Sequence, residues 1–248
     1  MRVPGLAPRD AILGAMSGSN PADPDQRLGM TAPRPRAVAA VEAASVGLAV
    51  LLFALLVVRL AGSLAGPSAW GAALAGSVAG YLAADLVSGL VHWFCDRFFE
   101  EDTAVIGRLL IFPFRDHHRE PEAMCAHGLL ELCGNSCLGL LPVLALAVLR
   151  PLPVMADGAL AAFALALTAT NLFHAWAHAR RVPALARWLQ ARQLILSPSV
   201  HHAHHAPGHV GAYCVTSGWA NRWLDGLGLF DRLERALVAA GVPRTREP

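Results

Sequence analysis

Long apolar stretches alternate along the chain with short polar ones, and each apolar stretch is longer than a helix of a small water-soluble domain usually is. A helix needs about 20 mainly apolar residues to cross the hydrocarbon core of a bilayer. The stretches that meet this length lie at about residues 38–62, 69–94, 128–149 and 153–178. The pattern therefore predicts an all-α integral membrane protein with about four transmembrane helices.

The composition supports this prediction. Hydrophobic residues make up 55% of the chain and charged residues 15%, and the mean hydropathy is +0.45, which is high for a soluble domain. The five cysteines are an odd number without a C-x-x-C pair, so we expect no disulfide framework. The formal net charge is only +2, and we expect no nucleic-acid partner.

The arginines predict the orientation in the membrane, because basic residues are enriched on the cytoplasmic side. One side has only Arg59 and Arg150 near the spans. The arginines near the spans on the other side are Arg34, Arg36, Arg97, Arg108, Arg115, Arg119, Arg180, Arg181, Arg187 and Arg192. We therefore expect both termini and the 97–127 loop in the cytoplasm. The bias toward arginine, alanine and leucine is typical of GC-rich bacteria and indicates a bacterial inner membrane.

The remaining segments complete the expected organisation. Residues 1–36 are rich in Pro, Gly, Asp and Arg and are expected to form a disordered cytoplasmic tail. Residues 37–240 form the membrane domain, and residues 241–248 form a C-terminal tail. Residues 183–196 predict an amphipathic helix in the headgroup plane. Residues 219–240 are either a second interfacial segment or an amphipathic helix of a soluble tail.

Polar residues interrupt three of the spans near their cytoplasmic ends. Residues three and four apart share a helix face, which defines three polar stripes. The stripes are Asp85, Ser88, His92 and Asp96; His127, Glu131 and Asn135; and Asn171, His174 and His178. Polar groups left alone in hydrocarbon are unfavourable, so the stripes are expected to face one another.

Two further motifs add imidazoles on the cytoplasmic side. The sequence "RDHHRE" adds two, and "HHAHHAPGH" at residues 201–209 adds three at H-x-x-H-H spacing. The candidate metal ligands are His92, His117, His118, His127, His174, His178, His201, His204 and His205. Further ligands, or groups that hold the ligands, are Asp96, Glu131, Asn135 and Asn171. This set exceeds one coordination sphere and predicts a histidine-rich cap with two metal ions.

The ligand types narrow the choice of metal. There is no H-E-x-x-H motif and no cysteine at thiolate-site spacing, and a structural zinc ion takes about four ligands. Many imidazoles with a few carboxylates suit a pair of iron ions, which activates O₂ without haem. Zinc, copper and manganese also accept these ligands.

The expected depth of the centre, just beneath the cytoplasmic interface, favours a lipid that enters sideways as the substrate. Arg115, Arg119, Arg180 and Arg181 flank the ligands and could bind a headgroup phosphate, or they are ordinary arginines of the cytoplasmic side. A histidine-rich metal transporter is an alternative. It needs polar groups through the whole bilayer, however, whereas these gather at one side.

Several motifs carry a resemblance to a known family. They are "DLVSGLVHWFCD" (85–96), "PFRDHHREP" (113–121), "HGLLE" (127–131), "NLFHAWAH" (171–178), "HHAHHAPGH" (201–209) and "CVTSGWAN" (214–221). In this order and spacing, from about residue 80 to 235, the chain resembles the membrane lipid desaturases of the plasmanylethanolamine desaturase family, also called the CarF or Kua type.

The resemblance implies a chemistry. A centre of two non-haem Fe ions would use O₂ and two external electrons to introduce the 1,2 double bond into the 1-O-alkyl chain of an ether phospholipid, which gives a plasmalogen. The electrons would come from another protein, cytochrome b5-like or ferredoxin-like. The family histidines correspond to the nine candidates above. The plant branch resembles an alternative that acts on an acyl chain of another phospholipid.

The last histidine box departs from the family pattern. Its two doublets are separated by one residue here, where the family often has two. The H-x-x-H-H triplet survives through His201, so His202 and His209 are left outside the expected ligand set.

Overall fold

The computed structural model describes residues 35–206 and 210–245, so that His209 and nearly all of the predicted tail over residues 1–36 lie outside the described residues. The helices are α1 (Arg36–Gly62), α2 (Pro67–Arg97), α3 (Phe112–Arg119), α4 (Leu129–Leu149), α5 (Val154–His178), α6 (Ala184–Ala191), α7 (Pro198–His204), α8 (Asn221–Gly226) and α9 (Leu229–Ala239). In the described ranges there is no β-strand, apart from an isolated bridge between Phe98 and Arg244.

Four of these helices, α1, α2, α4 and α5, are long and apolar enough to cross a membrane. This confirms the prediction of an all-α protein with four spans. Helix α2 extends three residues beyond the predicted end of the second span, because the polar residues of its last turn find partners in segments outside the four spans, such as His118 for Asp96 and Glu234 for Arg97. Helix α2 packs along α5, and α1 packs along α4.

Small residues set the distance between α2 and α5. A Cβ atom at Gly80 would lie 1.9 Å from the carbonyl oxygen of Ala159, and one at Gly76 would lie 1.9 Å from that of Met155. Glycine at these positions lets the two backbones touch, which is a common way for helices to associate in membranes.

We expect Gly80→Ala to destabilise the protein, because the added methyl group has no room without moving α2 away from α5. Overpacking of this kind costs roughly 1–3 kcal/mol. Gly71→Ala is the matched control on the same helix, since nothing lies within 4 Å of its added Cβ. Thermal unfolding of the purified variants in detergent measures the difference. Equal midpoints for the two variants would contradict the close approach.

Arg59 links three helices through an ion pair and hydrogen bonds at the end of the bundle away from the histidines. The Arg59 guanidinium, near the end of α1, pairs with Asp157 near the start of α5, with Nε 2.9 Å from Oδ2. It also donates to the carbonyl oxygens of Ala147 at 2.8 Å and Arg150 at 3.0 Å. These carbonyls at the end of α4 have no partner inside their own helix, so one arginine satisfies them and the buried Asp157 together.

The two predicted amphipathic segments pack differently. Helix α6 lies within the first segment and leaves Leu185 and Trp188 exposed, with the guanidinium of Arg192 4.4 Å from the Trp188 ring centroid. The second segment forms α8 and α9, and its Phe230 is buried in a cluster with Trp93 at the end of α2. The apolar face of α9 is therefore turned toward the protein.

The C-terminal residues continue this packing. The amide of Phe99 donates to the carbonyl of Pro243 at 3.0 Å, and the amide of Thr245 donates to the carbonyl of Arg97 at 3.0 Å. The described part of the predicted C-terminal tail, residues 241–245, thus reaches the end of α2.

Candidate metal centre

Most of the histidines lie close together at one end of α2 and α5, the end that the sequence predicts to be cytoplasmic. Helix α2 contributes one imidazole, α3 two, α5 two, and α7 with the residue after it three. Eight of the nine predicted ligands are in this cluster: His92, His117, His118, His174, His178, His201, His204 and His205.

The N-terminal cap of α7 fixes where this histidine-bearing helix starts. The hydroxyl of Ser197 accepts a hydrogen bond from the amide of Val200, and Pro198 occupies the first turn, which is a favoured start for a helix. The helical turn then sets His201, His204 and His205 three and four residues apart on one side, as the H-x-x-H-H spacing predicted.

The cluster divides into two groups that share His117. One group is His117, His174, His178, His201 and His205, and the other is His92, His117, His118 and His204. Within each group, one possible ligand atom from every residue lies within 4.8 Å of all the others. This geometry is compatible with two metal ions side by side.

Three nitrogens of the first group lie close to the Nε2 atom of His201. The Nε2 atom of His201 lies 2.8 Å from Nε2 of His174, 2.8 Å from Nε2 of His178 and 3.0 Å from Nε2 of His205. A neutral imidazole has only one N–H, so hydrogen bonds among these rings cannot satisfy every nitrogen. The buried Nε2 of His117 has no hydrogen-bond partner in the described part of the chain. Closely spaced nitrogen atoms that cannot all be satisfied by one another fit a bound cation.

Burial keeps two of these rings in the form that binds metal. Desolvation, followed by the proximity of the other imidazoles, lowers the pKa of His117 and of His201 well below the usual value for histidine. Both rings are therefore neutral at physiological pH, and the neutral imidazole is the metal ligand.

The carboxylate of Asp96 lies against three histidines of the second group. Oδ2 of Asp96 is 3.2 Å from Nε2 of His118 and 3.4 Å from Nε2 of both His92 and His204. Asp96 is 4% exposed. This position is compatible with both predicted roles of Asp96, as a metal ligand or as a group that holds the three imidazoles, and the choice between them stays a prediction.

Backbone carbonyls orient two of the rings. Nδ1 of His92 lies 3.1 Å from the carbonyl oxygen of Tyr213, and Nδ1 of His204 lies 2.9 Å from that of Gly211. With Nδ1–H as the donor, Nε2 is left for a metal ion, and such outer contacts fix both ring orientation and tautomer.

The second predicted stripe, which contains His127, lies apart from this centre. His127 is in neither group, and its Nδ1 lies 3.4 Å from Oε1 of Glu131. Asn135, in the same stripe, is exposed. Asn171 belongs to the stripe on α5, and its side chain donates to the carbonyl of Leu132 at 2.9 Å, which links α5 to α4. His202 is exposed on α7.

One of the predicted headgroup arginines faces inward. Arg115 is buried, and its guanidinium donates to the carbonyl oxygens of Cys95 at 3.2 Å, Phe98 at 3.1 Å and Phe99 at 2.7 Å. It thereby anchors α3 to the end of α2, where helical carbonyls have no partner of their own.

The other three arginines lie on the surface. Arg119 pairs with Glu101, and Arg180 pairs with Glu122 at 3.0 Å. Arg181 is exposed. Their headgroup role stays a prediction.

The sequence did not predict the structural role of Asp85, which is to hold a loop that follows α7. Its buried carboxyl group accepts hydrogen bonds from the amides of Ser217 at 2.8 Å, Gly218 at 2.9 Å and Ala220 at 3.0 Å. Gly218 has a φ of +78°, a conformation that favours glycine. Non-helical backbone beside a spanning helix needs such partners, because hydrocarbon supplies none.

The same loop joins α2 to α5 beneath the histidines. The hydroxyl of Ser88 accepts from the amide of Val215 at 3.0 Å, and the hydroxyls of Thr216 and Thr170 are 2.7 Å apart. The polar stripe on α2 thus serves two purposes: its first two members hold the loop, and its last two lie in the metal centre. Two sequence features could have predicted this loop: the glycine in "CVTSGWAN", and the position of Asp85 well inside an apolar span.

The fold and the site define an integral membrane protein with a histidine cluster at one end of its spanning helices that could hold metal ions. Residues 81–247 match the lipid desaturase domain, and the chain belongs to that family.

Curated relatives are similar over about 60% of this chain. The chain is 38% identical to plasmanylethanolamine desaturase of Myxococcus xanthus over 156 residues, 61% of this chain and 56% of that protein. It is 36% identical to mouse plasmanylethanolamine desaturase 1 (59% and 58%) and 33% identical to Arabidopsis thaliana chloroplastic fatty acid desaturase 4-like 2 (63% and 57%). The chain therefore spans little more than half the length of these relatives. No solved structure matches it significantly.

Proposed function

We propose that the protein is an O₂-dependent lipid desaturase with two non-haem iron ions, and that it forms the vinyl ether double bond of plasmalogens in the 1-O-alkyl chain of an ether phospholipid. The observation that carries this proposal is the pair of histidine groups that share His117. Family membership and the names of the Myxococcus and mouse relatives support it.

The protein's own side chains would bind and shield the metals. The first group supplies nitrogen ligands from α3, α5 and α7, and the second supplies them from α2, α3 and α7 with the Asp96 carboxylate among them. When bound, the iron pair would supply the oxidation of an unreactive C–H bond by O₂. His92, His117 and His204 are each at most 2% exposed, so bulk water is excluded from this side of the centre. His127 and Glu131 stay predicted ligands that lie outside both groups.

The position of the centre favours the carbons beside the ether oxygen. The ligands lie at the ends of α2 and α5, where headgroups are expected, and C1 and C2 of an sn-1 alkyl chain are close to the headgroup. A mid-chain double bond would need a long chain segment to be drawn in first. In the overall reaction, C1 and C2 each lose a hydrogen, and O₂ takes up two electrons and two protons from the lipid, two electrons from a donor and two protons from water to form two water molecules.

The proposal also includes an electron donor and an orientation of the protein in the membrane. A cytochrome b5-like or ferredoxin-like protein would deliver the electrons on the cytoplasmic side. The arginine distribution supports cytoplasmic termini, and the compositional bias toward arginine, alanine and leucine supports a bacterial inner membrane.

Cells that make the protein and are supplied with 1-O-alkyl phospholipid should accumulate an acid-labile vinyl ether. Mild acid should then release a fatty aldehyde, and lipid mass spectrometry should show the loss of two hydrogens from the alkyl chain. His204→Ala at matched expression is the inactive control. A new double bond in an acyl chain, without aldehyde release, would overturn the vinyl ether assignment and favour the acyl-chain alternative, to which the name of the Arabidopsis relative points.

A further inference from the structure

The backbone over residues 211–214 lies between α8 and the second histidine group. Two of its carbonyl oxygens contact histidine rings: that of Gly211 lies 2.9 Å from Nδ1 of His204, and that of Tyr213 lies 3.1 Å from Nδ1 of His92. The Nε2 atoms of both rings lie on the other side, 3.4 Å from Oδ2 of Asp96. This backbone therefore contacts both rings at the nitrogen that faces away from the cluster.

Two side chains of α8 hold the same backbone from the opposite side. Oδ2 of Asp225 accepts a hydrogen bond from the amide of Ala212 at 3.0 Å. Oδ1 of Asn221 accepts one from the amide of Cys214 at 2.8 Å, and Nδ2 of Asn221 donates to the carbonyl oxygen of Cys214 at 3.0 Å. Asn221 and Asp225 are four residues apart and share one side of the helix.

These contacts involve only two peptide groups. The C=O of Gly211 and the N–H of Ala212 form one planar unit, and the C=O of Tyr213 and the N–H of Cys214 form the other. In a trans peptide the C=O and the N–H point in opposite directions. Each peptide group is therefore held by α8 at its N–H and contacts a histidine with its C=O. A peptide whose N–H donates a hydrogen bond is polarised, which makes its carbonyl oxygen a better acceptor.

The turn at residues 211 and 212 depends on the Asp225 contact. Gly211 has a φ of +89° and Ala212 a φ of +51°, and the left-handed region is unfavourable for alanine. A Cβ atom at Gly211 would lie 3.3 Å from the carboxyl carbon of Asp225, so glycine leaves room for the carboxylate. Without that acceptor the turn could relax, and the Gly211 carbonyl would then rotate away from His204.

The first histidine group differs at the corresponding atom. Nδ1 of His201 is buried and has no hydrogen-bond partner within residues 35–206 and 210–245. His92 and His204, the rings that the two carbonyls contact, belong to the second group alone. Loss of the α8 contacts should therefore affect one half of the centre more than the other.

We propose that Asn221 and Asp225 are positioning residues for the second histidine group. Through the two peptide groups they keep the proton of His92 and of His204 on Nδ1, which leaves Nε2 of each ring available to a metal ion. The inference rests on the metal centre of the proposed function. Removal of a group that orients a metal-binding histidine costs about 10–100-fold in metal affinity, and we expect the lower end of this range for contacts made through a peptide group.

Asp225→Ala tests the proposal, because Asp225 is exposed and the variant should fold. The full-length protein, freed of metal with a chelator, is titrated with Co²⁺ and followed by its visible absorption. We expect two bound ions in the wild type, and in Asp225→Ala a roughly tenfold weaker affinity for one of them. Asp225→Asn keeps an acceptor oxygen and should restore most of the affinity. Arg222→Ala, at an exposed position of the same helix, is the matched control and should bind as the wild type does.

The imidazole tautomers give a second measurement, which a purely structural role of α8 would leave unchanged. The ¹⁵N chemical shifts of histidine-labelled, metal-free protein distinguish a protonated from an unprotonated Nδ1. We expect the Nδ1–H form of His204 in the wild type and in Asp225→Asn, and a mixture of both forms in Asp225→Ala. Asn221→Ala should have the same effect on His92, and thermal unfolding shows whether this buried position still permits folding.

Either an unchanged Co²⁺ affinity or an unchanged His204 tautomer in Asp225→Ala would overturn the proposal. Equal weakening of both Co²⁺ sites would also overturn it, because the contacts reach only the second group. If the wild type binds no Co²⁺ at all, the metal centre of the proposed function fails. The tautomers of the metal-free chain then still decide whether α8 sets the protonated nitrogen of these two rings.

Discussion

His117→Ala should abolish lipid desaturation and remove metal from both halves of the centre. His117 is the residue common to the two histidine groups, and it is buried with Nε2 directed into the cluster. Groups that only orient metal ligands can cost about 10–100-fold when they are removed, so the loss of a shared ligand should be at least as large. We expect about two iron atoms in each wild-type chain and less than one in the variant, measured by elemental analysis and Mössbauer spectroscopy.

His202→Ala is the matched control, since this imidazole is exposed on the histidine-rich helix and lies in neither group. It should keep its iron and most of its activity. An active wild-type preparation with stoichiometric zinc and no iron would refute the choice of metal. Full activity in His117→Ala would refute the ligand assignment itself.

Asp85→Ala should destabilise the protein more than any other single change to a side chain outside the histidine groups. The variant leaves the amides of Ser217, Gly218 and Ala220 without the oxygen atoms that now accept from them. Each buried donor left unsatisfied costs about 1–3 kcal/mol, so we expect a total loss on the order of 3 kcal/mol or more. Thermal unfolding in detergent measures the loss.

Metal content should fall in the same variant, although Asp85 is not a ligand, because the loop it holds contains the carbonyl that orients His92. Asp102→Ala is an exposed acidic control and should leave both properties unchanged. A stable Asp85→Ala protein with full metal content would show that the loop is held by its other contacts.

The membrane architecture was predictable from the sequence because it depends on long runs of similar residues. Four apolar stretches gave four spans within a few residues of their bounds. Helical spacing also predicted that His174 would lie near His178, and that His201, His204 and His205 would share one side of a helix, since these relations lie within single helices.

The relations between helices were harder to predict. The stripe that contains His127 has the same local pattern as the other two, and only the packing of α4 against α1 shows that it lies apart from the centre. Likewise, the sequence presents Arg115 as one of several cytoplasmic arginines, and its burial against the carbonyls of Cys95, Phe98 and Phe99 depends on where α3 lies. Tertiary neighbours, not periodicity, decide such cases.

Helix α7 has a consequence for how the protein is made. Both histidine groups take ligands from it or from the residue that follows it, and it comes after all four spans in the chain. During synthesis the membrane helices are therefore inserted before either group is complete. A nascent chain that still lacks α7 has neither histidine group complete, so each group can assemble only after all four spans have been synthesised.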